Sequence, residues 1–167
     1  MIIKNFLGAV WRHLPGSLRR RLVRVGQRRF TVTAGAIIFD DQDRVLLLEH
    51  VFRPDSGWGI PGGFLSRGEQ PEAAVRRELL EEVGLELADV EFMFTRTLGW
   101  PRQMEMYFRA KPIGRAVPCS FEIKRAEWFT LDSLPPQLSN DQRRMIERAF
   151  PSNTANSSEG HDGSKES

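Results

Sequence analysis

Apolar residues in the first fourteen positions recur at helical spacing, at Ile3, Phe6, Leu7, Val10, Trp11 and Leu14. Pro15-Gly16 breaks that pattern. A second segment, SLRRRLVRVGQRR, puts Leu18, Leu22 and Val25 on one helical face, with Ser17 placed as an N-cap. Beyond it the pattern turns to that of strands. In RFTVTAGAIIFDDQDRVLLLEH two β-branched, apolar runs flank Asp-Asp-Gln-Asp, which predicts a hairpin.

After a loop through Pro54, GWGIPGG ends in a turn. Gln70-Pro71 opens a helix, with proline in the first turn where its missing N–H costs nothing, running to Val83. Gly84 is its C-cap. Val75, Leu79 and Val83, four apart, form a stripe that can face a core. Strands are predicted at about 89–98, 103–110 and 122–130. LDSLPP reads as a loop, and Ser139 or Asn140 caps a final helix to Phe150. The tail PSNTANSSEGHDGSKES has no aromatic and almost no apolar residue, so it is predicted to be disordered. This order predicts one mixed α/β domain over 30–150, preceded by a basic helical arm over 1–29 and followed by the tail 151–167.

Composition sharpens that outline. A chain of 167 residues with 40% apolar and 28% charged content suits one soluble domain. Its net charge of +2 hides an asymmetry: residues 1–30 hold eight of the 24 basic residues and no acid. The remainder therefore carries 16 basic against 22 acidic residues. A single cysteine, Cys119, rules out an internal disulfide and a cysteine-based zinc site, which fits a reducing cytoplasm. No apolar run approaches the roughly 18–20 residues of a membrane span. NFLGAVW after Lys4 is too short for a signal peptide and lacks a small-x-small cleavage site.

The candidate chemistry lies in the helix after Pro71. Glu78, Glu81 and Glu82 fall within an arc of about 100° on its surface. Like charges at this spacing repel by roughly 0.2–0.5 kcal/mol per pair. A run such as ELLEE also suits a solvated charged face. Clustered carboxylates are, however, what a hard divalent cation such as Mg2+ requires. The glycines of PGGF let backbone approach a ligand closely.

Gly63, five residues, Glu69, seven residues, Arg77-Glu78-Leu79, Leu80, Glu81-Glu82, Val83 and Gly84-Leu85 resemble the Nudix box, G-x5-E-x7-R-E-U-x-E-E-x-G-U with U aliphatic. Every fixed position is filled, and the upstream GWGIPGG resembles the usual lead-in. The resemblance implies a Nudix-type α/β/α sandwich with a mixed β-sheet. It implies a hydrolase of phosphoric anhydride bonds using Mg2+, with Mn2+ as the alternative ion. By the same resemblance Glu78, Glu81, Glu82 and the Gly63 carbonyl are metal ligands, beside Gly62. Glu69 and Arg77 orient the loop and helix. Many members add a glutamate six residues before a tryptophan, here Glu122 before Trp128; Glu127 is the rival and also suits a solvent-facing strand position. The cation neutralises the pyrophosphate and lowers the pKa of a bound water. A carboxylate takes a proton from that water, with Glu78 the first choice and Glu81 or a residue outside the box as rivals.

Substrate signals lie outside the box. Pro101 stands 16 residues past Leu85, a mark of ADP-ribose-cleaving members, although the rest of their motif is absent. The S-Q-P-W-P-F-P-x-S motif of NADH-cleaving members is not matched, since LGWPRQ keeps only an aromatic-proline pair. Trp100 can stack a base or close a strand end, and Arg102 can meet a phosphate through two donors. Phe108, Trp58, Trp128 and His50 read as packing residues. The expected substrate is a nucleoside diphosphate linked to another group, ADP-ribose or a nucleotide sugar being favoured. The alternatives are a catalytically quiet nucleotide-binding module and a hydrolase of oxidised nucleoside triphosphates.

The basic arm can meet an anionic membrane surface or nucleic-acid phosphates. Its apolar face, Ile3, Phe6, Leu7, Val10 and Trp11, favours the membrane over nucleic acid, and no specific nucleic acid is expected. That face can instead pack on the domain or on a second subunit of a homodimer. The expected location is cytoplasmic, peripheral to the membrane if the arm binds lipid.

Overall fold

A computed structural model of the chain describes residues 8, 10–26, 29–53, 57–100 and 102–150. The chain forms two compact units, Met1–Thr31 and Val32–Ser167. In the first, residues 10–13 are helical and helix α1 spans Gly16–Gly26. Pro15, rather than Ser17, opens α1: its carbonyl accepts the N–H groups of Leu18 (3.0 Å) and Arg19 (3.1 Å). Ser17 therefore lies inside the helix, because a proline just outside the first turn already fixes the entry. The apolar positions expected before Gly8 lie outside the described residues, as does the tail after Phe150. No helix among the described residues is long and apolar enough to cross a membrane.

From Thr31 onward the chain forms strands β1 (Thr31–Ile38), β2 (Val45–His50), β3 (Trp58–Gly59), β4 (Gly62–Phe64), β5 (Glu86–Leu98), β6 (Gln103–Ile113) and β7 (Ile123–Phe129). Helix α2 (Pro71–Val83) follows β4, and α3 (Asn140–Ala149) ends the unit. A short 3-10 turn, Leu131–Ser133, interrupts the stretch expected to be a loop. The strands form two sheets, ordered β4-β1-β6-β5 and β3-β2-β7.

The expected hairpin between β1 and β2 is only a turn. Asp40 builds it, its Oδ1 accepting the N–H groups of Gln42 (3.0 Å) and Arg44 (2.9 Å). Beyond a single bridge between Phe39 and Val45 the strands separate into different sheets. The reason is burial on both faces. Ala34, Ala36, Ile38, Leu46 and Leu48 enter one core, while Ile37, Phe39, Val45 and Leu47 enter the other. Each strand thus has apolar layers above and below, as an interior strand between helices requires. Helix α2 supplies Ala74, Val75, Leu79 and Val83 to the first core. Helix α3 supplies Met145, Ile146 and Ala149 to the second. The result is the expected α/β/α arrangement.

Local signals set both ends of α2. Pro71 begins it, and Gly84 at φ 63° ends it, with cap N–H bonds to the carbonyls of Leu79 and Leu80. Ser139 caps α3 by accepting the Gln142 N–H at 3.3 Å. That helix stops at Ala149, one residue short of Phe150. Strand β5 begins at Glu86, three residues before the expected position, because it pairs with the far end of β6 at Ile113.

Candidate functional site

The loop before α2 is drawn tightly onto β1. Gly62 pairs with Gly35 and Gly63 with Ala34. Gly62 has φ 140°, and a Cβ there would collide with the Ala34 carbonyl. Only glycine accepts both conditions. At Gly63 the space a side chain would need is taken by the Glu78 carboxylate of α2. The glycine turn and the acidic face of the helix are therefore in direct contact.

Arg77 joins the same two elements. Its Nε and Nη2 donate to Glu69 Oε1 and Oε2 at 2.8 and 3.0 Å, and Nη2 also donates to the Phe64 carbonyl at 3.1 Å. Its Nη1 donates to Glu78 Oε1 at 2.9 Å and Glu81 Oε2 at 3.1 Å. Hydrogen bonds from Arg77, then from the Ser66 backbone N–H, hold Glu69 down to about pKa 2. The Arg77 guanidinium is correspondingly raised, chiefly by its bonds to Glu69.

Glu82 is the buried acid of the helix, at 8% exposure. The Gly62 backbone hydrogen-bonds its carboxylate, while Oε2 has no partner. Burial first, then the nearby Glu78 charge, push its pKa up to about 8. Glu122 adds to that push, whereas Arg53 and the Gly62 bond oppose it. The segment after β6 folds over the end of α2: Cys119 and Val117 donate N–H groups to the Glu82 and Val83 carbonyls at 3.0 and 2.9 Å. This brings Glu122 into the electrostatic neighbourhood of Glu82. Glu127 instead pairs with Arg125 at 3.1 Å, as a surface strand residue does.

Beside the glycine turn opens a cleft of about 190 Å³, lined by Gly35, Arg53, Gly62, Gly63, Glu105 and Gln142 among others. Trp100 and Arg102 do not line it. Trp100 is 91% exposed at the β5–β6 turn, where that long hairpin leaves it without a packing surface. Pro101 lies outside the described residues. Phe108 is buried in the first core. Trp58 meets Phe129 edge-on at 5.1 Å, and Trp128 packs against the first core. His50 is half-buried, and burial first, then the Arg53 charge, lower its pKa to about 4, which keeps it neutral near pH 7.

The NUDIX domain family matches residues 29–149. The chain belongs to the NUDIX family. Over 95 residues it is 41% identical to the NAD-capped RNA hydrolase NudC of Pseudomonas aeruginosa, covering 56% of this chain and 34% of that protein. Over 153 residues it is 32% identical to the NAD-capped RNA hydrolase NudC of Deinococcus radiodurans, covering 86% of this chain and 54% of that protein. The chain thus spans about a third to a half of the length of these relatives. A MutT NUDIX hydrolase from Burkholderia pseudomallei has the same fold, with a TM-score of 0.65 and 28% identity, covering 72% of this chain and 98% of that one.

Nudix hydrolases generally use divalent metal ions, and the side chains can be tested for that fit. Among the described residues no three acidic, histidine or cysteine side chains converge closely enough to hold a metal ion. Two features nevertheless suit a cation. Glu82 Oε2 is buried without a partner, and Gly63, lacking a side chain, leaves room for the Glu78 carboxylate. The donors are all hard oxygens. Arg77 engages Glu78 and Glu81, and Glu81 is 59% exposed and able to swing. Sequence reasoning missed Arg53. Its signal was slight: one cation six residues before Gly59, across a loop.

Proposed function

We propose that this Nudix chain is a pyrophosphohydrolase that cleaves the phosphoric anhydride of a nucleoside diphosphate linked to another group. The observation carrying this reading is the contact of Glu78 with Gly63, beside a buried Glu82 whose Oε2 lacks a partner. Glu78, Glu81, Glu82, Glu122 and the Gly63 carbonyl would hold the divalent cation, Mg2+ or Mn2+, whose charge would draw together carboxylates that stand apart here. Bound there, it would neutralise the pyrophosphate and acidify a water. Glu69 and Arg77 hold the loop against the helix so that the glycine backbone and carboxylates keep their relative positions. Glu78 is the proposed base that takes the proton of the attacking water, with Glu81 as its rival.

The relatives' names bring NAD-type pyrophosphates forward beside ADP-ribose and nucleotide sugars. In each of these a pyrophosphate joins a nucleoside to a second sugar. The cleft beside Gly62 supports a substrate whose phosphates reach the glycine turn. The arm is proposed to rest on an anionic membrane surface of the cytoplasm, supported by five arginines from Arg12 to Arg24 and the exposed Val10, Trp11, Leu18, Leu22 and Val25. A second subunit is the other candidate for that face.

The test is a panel of ADP-ribose, nucleotide sugars, NADH, dinucleoside polyphosphates and oxidised nucleoside triphosphates, with Mg2+ and product analysis. Two phosphate monoesters from one or more of the diphosphate-linked compounds are expected. Nucleotide binding with no cleavage of any panel member would mean a catalytically quiet module.

A further inference from the structure

The loop after β2 exposes what should be buried and buries what should be exposed. Val51 and Phe52 are exposed, while the next side chain, Arg53, turns inward with Nη1 buried and without a hydrogen-bond partner. The loop is anchored at its start, where Val51 donates its N–H to the Glu122 carbonyl at 2.8 Å. The Arg53 guanidinium lies over Gly59, in the space any side chain at that position would fill. Arg53 as a whole is half-buried, but a guanidinium N–H buried without an acceptor is costly, so its persistence calls for a partner.

The surroundings say what kind of partner. Arg53 is the one cation among the described residues lining the cleft beside Gly62-Gly63, and Glu105 is the one anion. Glu105 is already engaged: Arg96 binds its Oε2, Gln103 Nε2 donates to Oε1 at 3.2 Å, and the Tyr107 hydroxyl donates to Oε2 at 3.2 Å. Gln142 Oε1 is likewise taken, accepting the Ile60 N–H at 3.1 Å. Arg53 and Glu82 influence each other electrostatically, yet no ion pair joins them, and each keeps one buried, unpartnered atom. The group that completes Arg53 must accept hydrogen bonds from its guanidinium, and negative charge on that acceptor strengthens them. A phosphoryl oxygen meets both conditions.

We propose that Arg53, seated over Gly59, is the phosphate-binding residue of the cleft and holds a phosphoryl group of a nucleoside diphosphate against the glycine turn. This deepens the proposed hydrolase reading and rests on it for the identity of the ligand. Unlike the carboxylates, Arg53 acts on the substrate directly and needs no metal to do so.

The test is equilibrium binding of ADP, and of adenosine as a control without phosphate, in chelator, with thermal melts to confirm folding. Arg53→Ala is expected to weaken ADP binding about tenfold or more while leaving adenosine binding unchanged. Gly59→Ala, which displaces the guanidinium, is expected to do the same. Arg53→Lys keeps the charge and loses the fork, so a smaller loss is expected; it carries the test if the alanine variants do not fold. ADP binding that is absent in the wild type, indifferent to Arg53, or lost equally for adenosine overturns the proposal. A chain that binds ADP through Arg53 yet cleaves nothing with Mg2+ refutes the hydrolase reading alone. Cleavage together with ADP binding indifferent to Arg53 refutes this inference alone.

Discussion

Arg77 grips Glu69 through two parallel hydrogen bonds, Nε to Oε1 at 2.8 Å and Nη2 to Oε2 at 3.0 Å, across eight residues of loop and helix. The pair is half-shielded, and it fixes where the Gly62-Gly63 turn meets α2. Arg77→Lys removes the planar fork while keeping the charge. It is expected to lower stability, read as a lower midpoint of denaturant unfolding. An unchanged midpoint would show that the two elements are held by the core alone.

At Gly63 the expected effect is on turnover rather than on folding. Gly63→Ala puts a methyl group where the Glu78 carboxylate sits. The helix can keep its apolar face in the core while that carboxylate swings away. A fall in kcat of about a hundredfold or more, with a small change in Tm, is the expected result, since a misplaced group can cost this much. Equal losses in kcat and stability would mean that Gly63 serves packing only.

Glu82 gives a pH dependence whose sign can be worked out. Its folded pKa is raised to about 8, mainly by burial, so its contribution to stability is full below the ordinary carboxylate range and is lost as pH rises through about 8. In chelator the wild type should therefore lose stability relative to Glu82→Gln between those limits, by up to about 1.4 kcal/mol per pH unit. His50 runs the other way: its depressed pKa contributes stability above its ordinary range that is lost as pH falls towards about 4. Taking the difference between wild type and Glu82→Gln cancels that term. A flat difference across this range would contradict the burial of Glu82.

The first unit can be removed without touching the carboxylates. Deleting residues 1–28 is expected to leave turnover of a soluble substrate within about twofold and to abolish sedimentation with anionic phosphatidylserine vesicles. Sedimentation that survives the deletion would place lipid binding elsewhere. A change of oligomeric state, measured by light scattering, would assign the exposed apolar face to a second subunit.

Helix α2 was readable in the sequence because its determinants are local: Pro71 at the start, Gly84 at the end, and Val75, Leu79 and Val83 on one face. The turn at Asp40 was local too, but the partners of its flanking strands were not. Thr33 pairs with Phe64 and Val45 with Phe129, and nothing between Asp40 and Arg44 records those distances. Spacing put Glu78, Glu81 and Glu82 on one arc. It did not reveal that Glu82 alone is buried, because that depends on the segment from Val117 to Glu122 folding over the helix end. Arg53 was illegible for the same reason, since its isolation and its seat on Gly59 exist only once β2 and β3 pair. Trp100 carried an aromatic signal without a surface to use it on.

The central claim is that carboxylates of α2 and the glycine turn act on a pyrophosphate through a divalent cation. The most direct measurement is turnover of an ADP-ribose or NAD-type substrate by the wild type and Glu82→Gln, each with Mg2+ and with excess chelator. The expected result is cleavage by the wild type with Mg2+, none in chelator, and at least about a hundredfold less by a folded Glu82→Gln. Cleavage that persists in excess chelator, or a Glu82→Gln variant as fast as the wild type, would contradict it.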